Sequence, residues 1–230
     1  MIYRRFRPEG LANLNEKVDP AIVRNAALDA KIWNQRIIPF TLPPPLSLMM
    51  GDVCGGSSSV SMAKAVLEWR RRHESGTIWN SLADCNRQIA VAFQDIEAWN
   101  VKDSARFTRS VEAMALQPLS DWGQDPILSR LLTIKQLFRT ARQLLKQIGE
   151  EAGVDIEPDS QTALSDATDA IPGVLCAGVP GAGGVDAIFC IVSHAARGAV
   201  ELLWSQWHGS AVCPLLLDAD SKGISLEKCV

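Results

Sequence analysis

Apolar residues recur along much of this chain at steps of three and four, the spacing that lines up side chains on one face of a helix. Leu82, Cys85, Ile89, Phe93, Ile96 and Trp99 predict an amphipathic helix over 80–100, and a second is expected over 103–116. The strongest stripe follows. Ile127, Leu128, Leu131, Leu132, Leu137, Phe138, Ala141, Leu144, Leu145 and Ile148 predict a long helix ending near Gly149. Shorter helices are predicted over 21–31, 59–72, 160–170 and 195–208. Apolar runs without that period read as strands over 46–50, 174–178, 186–192 and 211–217, with short extended segments over 1–6, 37–40 and 224–226. Pro43, Pro44 and Pro45 break regular structure, so a boundary is placed there, dividing 1–45 from 46–230. Helical runs mixed with β-hairpins, rather than a strict alternation of strand and helix, predict an α+β fold. No internal repeat is visible.

Composition narrows the picture little. The chain has 230 residues, 47% of them hydrophobic, with 26 acidic against 23 basic side chains. That balance excludes disordered and collagen-like architectures and gives no global field for nucleic acid or anionic lipid. No apolar run approaches the roughly 18 residues of a membrane span. Cys54, Cys85, Cys176, Cys190, Cys213 and Cys229 show no CxxC spacing, and four of them sit in apolar surroundings, so they read as reduced. With His73, His194 and His208 as the three histidines, no zinc or iron ligand set emerges. No signal peptide is apparent, and a cytoplasmic protein is expected.

Two segments carry candidate chemistry. GVPGAGGVDAI places Gly178, Gly181, Gly183 and Gly184 between two β-type segments, where successive main-chain amides can form a nest for phosphate oxygens. The glycines lead into a strand instead of opening a helix, and no Gly-Lys-Ser/Thr follows them, so neither a dinucleotide fingerprint nor a Walker loop is present. In GDVCGGSSSVSM, Gly55 and Gly56 free the backbone ahead of Ser57, Ser58 and Ser59 at a predicted helix N-terminus. Each has a plain structural alternative: a tight hairpin turn for the first, an N-cap serine for the second.

Arg130, Lys135, Arg139, Arg142 and Lys146 share the long helix with no acidic residue between them. They form either an anion-attracting face or the solvated side of an amphipathic helix, the commoner case. Cys190 and His194 lack an orienting carboxylate and read as structural. The tryptophans at positions 33, 69, 79, 99, 122, 204 and 207 suit core packing better than base stacking.

Three stretches, GDVCGGSSSVSMAKAVLEWR, GEEAGVDIEPDSQTALSDAT and PGVLCAGVPGAGGVDAIFCI, in that order and spacing, closely resemble the phosphomevalonate kinases of the plant and fungal type, within the GHMP kinase superfamily. The resemblance implies a GHMP kinase C-terminal domain over 46–230, helices on a small antiparallel, ferredoxin-like sheet, preceded by a remnant of the N-terminal domain. It implies transfer of the γ-phosphoryl of ATP, with Mg²⁺, to 5-phosphomevalonate in the mevalonate route to isoprenoids and sterols. Gly181, Ala182, Gly183, Gly184 and Asp186 would then lie on the nucleotide side, and Gly55, Gly56, Ser57, Ser58 and Ser59 on the substrate side. The family's N-terminal P-x-x-x-G-L-G-S-S-A type loop and G-S-G-F-D type aspartate do not occur here. The chain is therefore expected to be a C-terminal half, inactive without an N-terminal half supplied separately, and neither Asp52 nor Asp186 can be given the aspartate's role. The alternative is a non-catalytic module that binds phosphate ligands.

Overall fold

The computed structural model describes residues 2–4, 20–28, 36–38, 40–72, 76–208 and 212–215. Backbone contacts group the chain into two units, Met1–Thr41 and Leu42–Val230. In the first, β1 (Ile2–Arg4) and β2 (Arg36–Ile38) pair antiparallel, and α1 (Pro20–Leu28) lies between them in sequence. The segment expected as a strand at 224–226 lies outside the described residues, as do Trp33 and Cys229.

The second unit begins with β3 (Leu46–Val53). Five helices follow: α2 (Ser59–Arg72), α3 (Gly76–Lys102), α4 (Ser104–Ala113), α5 (Pro126–Ala152) and α6 (Asp159–Asp169). The chain then makes β4 (Val174–Gly178), β5 (Ala187–Ser193), α7 (Arg197–Ser205) and β6 (Val212–Leu215). The four strands form an antiparallel sheet in the order β4-β5-β3-β6. Numbered within this unit the order is 2-3-1-4, which with helical crossovers after the first and third strands is the split βαβ arrangement of ferredoxin-like sheets. The fold is α+β.

Strand β5 is covered on both faces, whereas on β3 Leu48 and Asp52 are exposed. Ile188, Cys190 and Val192 join a core with Leu164 of α6 and Val200 and Trp204 of α7. The alternate residues Phe189 and Ile191 join a core built on Leu131 and Ile134 of α5, with Phe93 and Ile96 of α3. That period-two division is what a strand buried on both sides requires. The Trp204 indole N–H donates to Thr168 Oγ1 at 2.9 Å, so this fully buried ring leaves no polar atom unpaired.

Helix α5 starts where Asp125 accepts hydrogen bonds from the Ile127 and Leu128 amides, with Pro126 in the first turn. Its end corrects the sequence expectation. The helix runs past Gly149 to Ala152 and closes on Gly153, whose φ of 68° makes the left-handed cap. Gly149 is instead a point of close approach: a Cβ there would sit 2.6 Å from the Val154 carbonyl oxygen of the returning chain.

Candidate functional site

Sheet register decides where the candidate loops go. Asp52 near the end of β3 pairs with Ala187 at the start of β5. The chain leaving β3 through Gly55–Ser59 and the β4–β5 loop through Gly181–Gly184 therefore emerge at the same end of the sheet. They touch there. The Val185 amide donates to Ser57 Oγ at 3.0 Å, linking residues 128 apart in sequence. Gly184, at φ 109°, is buried against Ser57, and any Cβ on it would overlap the serine side chain. A serine lying this close to a glycine in that conformation is the local reason position 184 has no side chain.

A third segment meets the same point. The Gly184 amide donates to the Ile156 carbonyl oxygen at 2.9 Å, and Gln161 Nε2 of α6 donates to the Val185 carbonyl oxygen at 2.9 Å. Neither Ile156 nor Gln161 carries a chemical signal of its own in the sequence, although both lie inside GEEAGVDIEPDSQTALSDAT. Their position in a stretch carrying the family likeness was the available signal.

The loop amides divide into two sets. Those of Gly183, Gly184 and Val185 already donate to Pro180 O, Ile156 O and Ser57 Oγ. The amides of Gly181 and Ala182, at the exposed tip, have no protein acceptor among the described residues. Hence the tip, rather than the whole glycine run, presents donors. On the other loop Ser58 is the N-cap of α2: its Oγ accepts from the Ser61 amide at 3.4 Å. Gly55, Gly56 and Ser59 are exposed, and Ser57 is half-buried with its own O–H left to donate. The main chain of Asp186 accepts from the Val53 amide at 2.9 Å, which fixes the carboxylate-bearing residue at the sheet edge of the loop. Among the described residues no three His, Cys, Asp or Glu side chains gather to hold a metal ion by themselves.

The basic row on α5 is paired with acidic groups inside the fold, although Arg130 and Arg139 stay exposed to solvent. Every member has an acidic partner supplied by another segment. Arg130 pairs with Asp95, Arg139 with Asp169, and Lys146 with Asp159. Arg142 grips Glu157 through Nε at 3.1 Å and Nη2 at 2.5 Å, and reaches Asp166 at 2.8 Å. Lys135 is 4% exposed; its ammonium donates to Asp169 Oδ1 and Asp169 O at 2.7 Å and to Val174 O at 3.0 Å. Burial pushes the Lys135 pKa below its ordinary value against the pull of Asp169. These charges tie α5 to α6 and to the start of β4.

Of the described cysteines, Cys85, Cys176 and Cys190 are buried and Cys54 and Cys213 are exposed, all as free thiols. Burial pushes Cys190 up to about 12 and His194 is exposed, so the pair cannot act as a thiolate and base.

The chain is 32% identical to the peroxisomal phosphomevalonate kinase of Arabidopsis thaliana, a match covering 98% of this chain and 46% of that relative. It is 28% identical to the phosphomevalonate kinase of Gibberella zeae over 98% of this chain and 46% of the relative. For the Candida albicans enzyme the figures are 28% identity, 84% and 42%. The chain thus spans less than half the length of these relatives. Its resemblance to the phosphomevalonate kinases, read first from three motifs, holds along nearly the whole chain. No protein-family model matches it. Among solved structures, a Lin0012 protein from Listeria innocua aligns with a TM-score of 0.46 at 16% identity, covering 85% of this chain and 47% of that one.

Proposed function

We propose that this chain is the C-terminal GHMP kinase portion of a phosphomevalonate kinase, with 46–230 forming that domain and 1–45 belonging to the N-terminal one. In the reaction a phosphate oxygen of 5-phosphomevalonate bonds to the γ-phosphorus of ATP. The bond from that phosphorus to the β-bridging oxygen breaks, and ADP leaves with the electron pair, yielding 5-diphosphomevalonate. The supporting observation is the convergence of all three family-like stretches on two adjoining residues, Gly184 and Val185, through Ser57, Ile156 and Gln161.

In this reading the tip amides of Gly181 and Ala182 face the nucleotide phosphates, on a loop shaped by Gly183 and Gly184. Residues Gly55–Ser59 face the phosphate of 5-phosphomevalonate. Phosphoryl transfer asks a protein mainly for positioning and neutralisation of charge, which fixed amide donors supply. Mg²⁺ is held largely by substrate phosphates with one or two carboxylates; Asp186 is the carboxylate carried by the loop itself. The family's catalytic aspartate has no counterpart in this chain, so the complete reaction needs the N-terminal half as well. A reducing, cytoplasmic setting suits the free thiols.

Calorimetry with 5-phosphomevalonate and with Mg·ATP tests the proposal, followed by turnover assays with and without the N-terminal half of a plant relative. Binding of phosphomevalonate, with turnover only when the second half is present, is expected. Binding without restored turnover would favour a non-catalytic ligand module. Turnover by the chain alone at about 1–100 per second, the kinase range, would overturn the view that it is an incomplete site.

A further inference from the structure

The return arm of the β4–β5 loop is held by four hydrogen bonds from two other segments, and two of the holds are side chains. Val185 is gripped at both of its main-chain groups: its N–H donates to Ser57 Oγ at 3.0 Å, and its carbonyl accepts from Gln161 Nε2 at 2.9 Å. The flanking peptides are held by main chain, Gly184 N–H by Ile156 O and Asp186 O by Val53 N–H. Beyond this arm the exposed tip at Gly181–Ala182 has no such support. A clamped arm thus carries a free tip.

Gln161 is 2% exposed, and its Oε1 has no protein partner among the described residues. A buried amide with an unused acceptor is a poor choice for packing alone, since Met or Leu would fill similar space without it. What glutamine adds is the bond to Val185. Ser57 adds the link between loops: with its oxygen accepting from Val185, its proton remains to donate to a ligand oxygen.

We propose that Ser57 and Gln161 are positioning residues that fix the main chain of Val185, holding the Gly181–Ala182 amides, on the nucleotide side, and the Ser57 hydroxyl, on the phosphomevalonate side, at a set separation from each other. The ligand part rests on the phosphate-binding reading above; the clamp itself does not. Ser57→Ala and Gln161→Met test it by amide hydrogen exchange on the ligand-free chain, paired with calorimetric titration of 5-phosphomevalonate. In each variant residues 183–188 are expected to exchange about tenfold faster while α5 is unchanged, as for loss of one local hold. Phosphomevalonate affinity is expected to fall roughly three- to tenfold, the size of one lost hydrogen bond.

Unchanged loop exchange in both variants would overturn the clamp whether or not the wild type binds ligand. Faster exchange with undiminished affinity would overturn the positioning role. Faster exchange in a chain whose wild type binds no phosphomevalonate would leave the clamp standing and remove the phosphate reading instead. Should Gln161→Met lose the wild-type circular dichroism spectrum, the half-exposed Ser57→Ala decides.

Discussion

Two regions of this protein look like anion sites in the sequence, and they turn out to be opposites. Helix α5 carries five positive side chains, each paired with a carboxylate from another segment, Lys135 and Arg139 sharing that of Asp169. The glycine and serine loops carry no positive side chain, yet at Gly181–Ala182 they leave main-chain donors without a protein acceptor. The row with formal charge is paired within the fold, and the neutral loops keep main-chain donors without a protein acceptor at their tip. Positive charge on a helix is therefore a poor guide to anion binding when the carboxylates that meet it lie elsewhere in the chain.

The sharpest way to break this contrast is Asp169→Asn. It leaves the Lys135 ammonium buried without its counter-ion, a change that costs about 3–5 kcal/mol in comparable pairs. Urea unfolding should show the midpoint collapse; a shift under about 1 kcal/mol would mean the pair is incidental to stability.

Gly184→Ala comes second and works in the opposite sense. The new Cβ must displace Ser57 while adopting a φ of 109°, a strain of about 1–3 kcal/mol. Its main effect should be on phosphomevalonate binding measured by calorimetry, and unaltered affinity would remove these loops from the site.

Arg130→Ala is the smallest. Its pair with Asp95 is exposed on both sides, so stability should move by no more than about 0.5 kcal/mol in thermal unfolding. Phosphomevalonate affinity should not change; a marked loss would restore the basic row as an anion-binding face.

Much of the local structure was legible. The three- and four-residue steps from Leu82 to Trp99 and from Ile127 to Ile148 located α3 and α5, and the GGSSS segment located the start of α2 at Ser59. The end of α5 was not legible. Gly149 and Gly153 are equivalent as letters, and close approach to Val154 O distinguishes one from the cap made by the other. In the candidate site the glycines and serines were visible, whereas Gln161 and Ile156 were not, because neither a glutamine nor a main-chain carbonyl announces a partner in another segment.

The sequence by itself determined which stretches are helical, which are extended and which loops have freely shaped backbones, since these follow from residues within a few positions of one another. Its likeness to the phosphomevalonate kinases was legible too, in three stretches of unusual composition. Only the tertiary structure decided which donors are left over. That depends on contacts such as Lys135 with Asp169, 34 residues apart, and Ser57 with Val185, 128 apart. A hydrogen bond or ion pair is satisfied by whatever the fold brings within about 3 Å, and chain order alone does not specify that neighbour.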